Sequence, residues 1–157
     1  MYIRLIPSSE EKLLKFVTEN KIRAEHLTYE KSIHTVQECV EVTGIPIEYI
    51  TKCVIMIKDG KCIAGLVQAK NRVSTSRVGK VLNIEPPQVA TPEETLRLTG
   101  YAVGGIPYIG YDALRLVDKK ILDLEFVFTG GGSDKSLLKL WTSEIVKGDP
   151  IIDRIRK

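Results

Sequence analysis

The stretch from Glu48 to Ala69, EYITKCVIMIKDGKCIAGLVQA, constrains the fold more than any other part of the chain. Two apolar runs flank Asp59-Gly60, a dipeptide suited to the tight turn of a β-hairpin. In the first arm Tyr49, Thr51, Cys53, Ile55 and Ile57 fall on one face, and Ile50, Lys52, Val54 and Met56 on the other. Both faces are apolar, so the strand is expected to be covered on both sides. Lys52 is the misfit.

An ammonium on an apolar strand face costs free energy unless an anion or hydrogen-bond acceptor meets it. Two readings are open. Lys52 sits near the start of the strand, so its stem can snorkel to water. Alternatively it is a cationic anchor at the mouth of a pocket, placed for a phosphate, a carboxylate or a developing oxyanion. The strand pattern alone does not choose between them.

Helix punctuation marks the rest of the chain. Ser8 and Glu11 have capping-box spacing, and Leu13, Leu14, Phe16 and Val17 form an apolar stripe that ends near Asn20. After an extended stretch carrying Tyr29, Thr35 and Glu38 repeat the spacing, with Val36, Cys39 and Val40 facing inward and Gly44 as the stop. Ser74 or Thr75 can cap a short helix through SRVGKVL. Thr91, Pro92, Glu94 and Gly100 bracket a further one. ALRLVD, LEFVFT and SLLKL read as strands, TSEIV as a helical turn and PIIDRIRK as a tail. With strands paired through hairpins and no regular βαβ alternation, the fold class is α+β. A length of 157 residues, with no repeat or linker, is expected to form one domain over 1–157.

Several function classes lose support here. The apolar runs are only strand-length, so no membrane span is expected, and the start MYIRLIPSSEEK lacks a signal-peptide core. A cytoplasmic location is the default expectation. Cys39, Cys53 and Cys62 form no CxxC pair and read as structural thiols. With His26 and His34 as its only histidines, the chain is poorly supplied with zinc ligands and offers no motif for a Ser-His-Asp arrangement. The net charge of +3 permits an RNA or phosphate partner without demanding one.

Two glycine-rich stretches remain. In GYAVGGIPYIG, Gly104 and Gly105 let the backbone approach a ligand closely and Pro107 stiffens the exit, although an ordinary tight connection would look the same. FTGGGSDKS fails as a phosphate loop, because Asp134 stands where glycine must precede Lys135 and a strand pattern comes next. A wide hairpin is expected there, with the Thr129 and Ser133 hydroxyls able to line a pocket.

In combined order, HTVQECVEVTGIPIEYITKCVIM, TGYAVGGIPYIG and FVFTGGGSDKSLLKL resemble the YbaK family of aminoacyl-tRNA deacylases, related to the editing domain of bacterial prolyl-tRNA synthetases. The likeness runs from about Tyr29 to Leu140. It implies a mixed, mostly antiparallel barrel-like sheet surrounded by helices, acting in trans on misacylated tRNA without a metal or other cofactor. It matches Lys52 to the family's essential lysine, and Gly104 and Gly105 to the glycine pair at the scissile ester. Tyr29, Ile106, Pro107, Thr129, Gly130 and Gly131 fall at substrate-binding positions. The implied partners are the acceptor end of aminoacyl-tRNA and a synthetase, with no membrane. Many relatives carry basic residues where this chain has Gly132, Ser133 and Asp134, which leaves open a non-catalytic tRNA- or synthetase-binding module.

Overall fold

The Asp59-Gly60 turn forms as its residues require: φ is +52° and +76°, and the arms pair from Thr51↔Gln68 to Lys58↔Lys61. A computed structural model describes residues 8–157, and the opening MYIRLIP lies outside the described residues. The hairpin strands, β2 (Thr51–Lys58) and β3 (Lys61–Gln68), are the centre of a five-stranded sheet. It adds β4 (Gln88–Val89) beside β2, and β5 (Leu114–Asp118) and then β8 (Ile151–Asp153) beside β3. A three-stranded sheet orders β1 (Ala24–Thr28), β7 (Ser136–Trp141) and β6 (Phe126–Gly130). A parallel bridge between Ile50 and Phe128 joins the sheets where β2 begins.

Among the described residues the ladders are antiparallel except β3–β5 and β5–β8, so the mixed, mostly antiparallel α+β expectation holds. The parallel pairs are joined by crossovers rather than hairpins. Between β3 and β5, α3 (Thr75–Leu82) and α4 (Pro92–Thr99) carry the chain back to the same end of the sheet.

Both faces of β2 are covered, as its two apolar faces require. On one side Cys53 packs with Leu66, Val117, Val127 and Leu140 between the sheets. On the other Val54 and Met56 pack with Ile63, Val67, Val78 and Ile155. The helices α1 (Ser9–Glu19) and α2 (Val36–Thr43) begin at their Ser8 and Thr35 caps, and α3 begins at Ser74 rather than Thr75. Leu13 is buried in α1, but Leu14 is 40% exposed: it lies about 100° further round the helix and leaves the inward stripe. TSEIV forms the short helix α5 (Thr142–Lys147).

The reading of PIIDRIRK as a tail is corrected. Ile151–Asp153 form β8, and the buried Asp118 carboxylate holds the residues beyond that strand. It accepts hydrogen bonds from the Ile155 and Arg156 amides at 2.9 and 3.2 Å and pairs with the Arg156 guanidinium at 2.9 Å. No local pattern announces this, because the anchor lies far away in sequence.

Candidate active site

Lys52 is half-buried, opposite the fully buried Val67. β4 pairs with β2 only at Met56 and Ile57, and Lys52 remains partly exposed. The lysine thus has a route to solvent, but its ammonium finds no hydrogen bond or ion pair among the described residues. Burial lowers its pKa below the usual 10.5, and the nearby Arg72 cation lowers it further. A half-buried cation with a second cation nearby favours an anion over another cation.

The two glycine loops meet backbone to backbone. The Gly132 amide donates to the Gly105 carbonyl at 2.8 Å. A methyl group at Gly105 would lie 2.6 Å from the Ser133 carbonyl oxygen. One at Gly130 would lie 2.6 Å from the Gly105 carbonyl carbon and strike the Ile106 carbonyl oxygen. Glycine is therefore required at these positions by the closeness of the chains. The Gly105 amide turns back to Ala102 at 3.2 Å, whereas the amides of Gly104 and Ile106 have no hydrogen-bond partner among the described residues. Gly104 is half-buried with φ +99°. Its amide and that of Ile106 are the unpaired donors that flank Gly105.

A side-chain scaffold fixes the glycine loop from below. The Tyr111 hydroxyl donates to the Pro107 carbonyl at 2.8 Å and meets the Cys53 sulfur at 3.2 Å, tying the loop to β2. Arg115 donates to the Tyr108 and Tyr111 carbonyls at 2.8 and 2.6 Å and lies over the Tyr111 ring. Burial pushes the Cys53 thiol up to about 11 and the Tyr111 hydroxyl well above its usual range, so both stay protonated. The late loop is held by the Ser133 hydroxyl, which donates to Glu10 at 2.6 Å and contacts Ser136 at 2.8 Å.

The bridge at Ile50–Phe128, and the hydrogen bond from the Thr51 hydroxyl to the Phe128 carbonyl at 2.9 Å, hold the start of β2 against β6. Lys52 and Gly130 each lie two residues beyond that bridge, in strands running the same way. Gly130 in turn abuts Gly105 and Ile106. Other expected residues sit differently. Thr129 is 1% exposed and its hydroxyl turns to the Gly130 carbonyl, Gly131 is buried, and Ser133 is committed to Glu10. Pro107 is buried and Ile106 half-buried. Tyr29 packs on the cluster of Ile50 and Phe128, and lines a shallow groove with Glu30, Ser32, Glu38 and Glu41 that does not include Lys52 or the glycine pair.

Both histidines reach the glycine loops, which the sequence did not announce. His26 Nε2 lies 2.8 Å from the Gly131 carbonyl oxygen. The His34 ring occupies the space a side chain at Gly104 would need. Each comes from the segment before α2, and their chemistry is visible only once the loops are folded against it. No group of three or more His, Cys, Asp or Glu among the described residues gathers in a metal-binding arrangement.

Comparison with known proteins gives the family. The aminoacyl-tRNA editing domain matches residues 30–147, about three quarters of the chain. The chain belongs to the aminoacyl-tRNA editing domain family. Within that match lie Lys52, Gly104, Gly105 and the whole late loop. The proline–tRNA ligase of Acidithiobacillus ferrooxidans is 36% identical over 74 residues, covering 47% of this chain and 13% of the ligase. That of Solidesulfovibrio magneticus is 28% identical over 107 residues, covering 67% of this chain and 19% of the ligase. This editing domain thus spans less than a fifth of either relative.

Solved structures share its fold. A candidate trans-editing enzyme for prolyl tRNA synthetase superposes with a TM-score of 0.86 at 20% identity, over 97% of this chain and 99% of that one. A hypothetical protein gives 0.86 at 24% identity, over 94% and 100%. No helix among the described residues of the editing domain is long and apolar enough to cross a membrane.

Proposed function

We propose that residues 1–157 act as one domain that hydrolyses the ester of misacylated tRNA in trans, removing a small amino acid such as alanine, serine, threonine or cysteine, with proline tRNA a natural carrier. One observation carries the reading: the unpaired Lys52 stands beyond the bridge that leads, through Gly130, to the free Gly104 and Ile106 amides. The Lys52 ammonium grips the phosphate of the RNA end. The two amides receive the ester carbonyl and stabilise the charge that grows on its oxygen. Water adds to the carbonyl carbon, the bond to the ribose oxygen breaks, and that oxygen takes up a proton as the amino acid leaves. An aminoacyl ester is already activated, so positioning and electrostatics supply most of what hydrolysis needs.

The small residues of the late loop, Gly130 to Ser133, favour a small side chain on the substrate. The test is a deacylation screen on tRNAs charged with alanine, serine, threonine and cysteine. Release above the spontaneous rate for at least one is expected, and no release from any of them overturns the reading. A non-catalytic module that docks a tRNA end or a synthetase is favoured by the exposed Asp134 and by Ser133's commitment to Glu10. Saturable tRNA binding without turnover would select it.

A further inference from the structure

We infer that His34 is the platform on which the terminal base of the RNA stacks, an inference that rests on the editing-site reading above. A charged RNA end has three parts to be held: the aminoacyl ester, the ribose phosphate and the base. The free amides and Lys52 account for the first two. Of the described aromatic rings His34 alone is exposed, the others being buried or half-buried. Its ring stands directly at the glycine pair. A methyl group at Gly104 would strike Nδ1 and lie 2.5 Å from Cε1 and 3.1 Å from Cγ, which places it over one face of the ring near Nδ1.

Gly104 covers one face of the ring, and the opposite face of this exposed side chain is left for a base. The ring has no hydrogen bond, ion pair or aromatic partner among the described residues, so no other group holds it. Val103, adjoining Gly104, is 45% exposed and adds apolar surface beside it. An unstacked base at an RNA end is commonly held on an aromatic or histidine ring, and such contacts tolerate any base because each has a π-face. Gly104 fits this arrangement, because a side chain there would displace the ring.

The test measures tRNA deacylation and the binding of an uncharged acceptor-stem RNA by wild type, His34→Ala, His34→Phe and His34→Leu. His34→Ala is expected to raise KM and Kd roughly tenfold, within the range of one base–aromatic stack, with kcat within about twofold. His34→Phe should restore binding and His34→Leu should not, which separates stacking from hydrogen bonding and from bulk. RNA whose terminal nucleotide lacks its base should bind wild type as weakly as His34→Ala binds intact RNA. It should lose nothing further with the variant. Unchanged Kd for His34→Ala, or additive losses with the base-free RNA, overturns the inference. Lack of turnover by wild type with these binding effects intact would overturn the deacylase reading alone.

Discussion

The Gly132 amide donates to the Gly105 carbonyl at 2.8 Å, and this contact brings two loops distant in sequence into one backbone surface. The packing allows no Cβ at Gly105, where the Ser133 backbone would be met at 2.6 to 2.7 Å. Gly105→Ala is expected to lower stability by about 2 kcal/mol in urea denaturation. Deacylation should fall about a hundredfold at temperatures where the variant is folded, because the donors move. Wild-type rates in a folded variant would show that the loop contact does not position the site.

Lys52 should trade stability for function. Its folded pKa is lowered, so the unfolded chain holds this proton more tightly. The resulting cost is fully present below the folded pKa and disappears as pH rises towards the unfolded value near 10.5. Lys52→Met is therefore expected to gain stability at neutral pH while losing deacylation and tRNA affinity. Destabilisation by this change would mark Lys52 as a structural residue.

The same lysine predicts a pH limit on binding. Its grip on phosphate requires the ammonium, which is lost at a lower pH than from an ordinary lysine. Affinity for acceptor-stem RNA should weaken as pH rises towards the folded pKa, short of 10.5, and Lys52→Arg should remove that weakening. Identical profiles for the two proteins would place the contact elsewhere.

The link between Tyr111, Cys53 and Pro107 should be felt at the glycine loop. Tyr111→Phe removes the donor to the Pro107 carbonyl and is expected to cost about 1 kcal/mol, read from the urea midpoint. With its thiol pushed up to about 11, Cys53 carries roughly one thiolate in a thousand at about pH 8. Native protein should resist iodoacetamide at Cys53, and peptide mapping that finds rapid labelling there would contradict this placement.

Asp118 holds the end of the chain. Asp118→Ala leaves the Arg156 guanidinium and two amides without their acceptor and is expected to cost roughly 3 kcal/mol. Hydrogen exchange should show protection lost first along β8. Deacylation should be unchanged wherever the variant remains folded, since Asp118 contacts none of the site.

Local chemistry made much of the fold legible. The Asp59-Gly60 turn, the Thr35 and Thr91 caps and the Gly44 and Gly100 stops all act within a few residues, and each appears where its spacing places it. The strands β4 and β8 were missed for the opposite reason: β4 is two residues long and β8 three, too short for any period to show. The order of Lys52 and the two glycine loops, read with the family likeness, pointed to the stretch that the editing-domain family matches.

By itself the sequence determined the hairpin, the capped helices, the misfit of Lys52 and the membership of a tRNA-editing family. Only the tertiary structure decided which backbone donors stay free, that Thr129 and Ser133 turn away, and that the two histidines meet the glycine loops. The reason is physical. Turns and caps depend on neighbours along the chain, whereas close backbone approach and the satisfaction of polar groups depend on which distant segments are packed together.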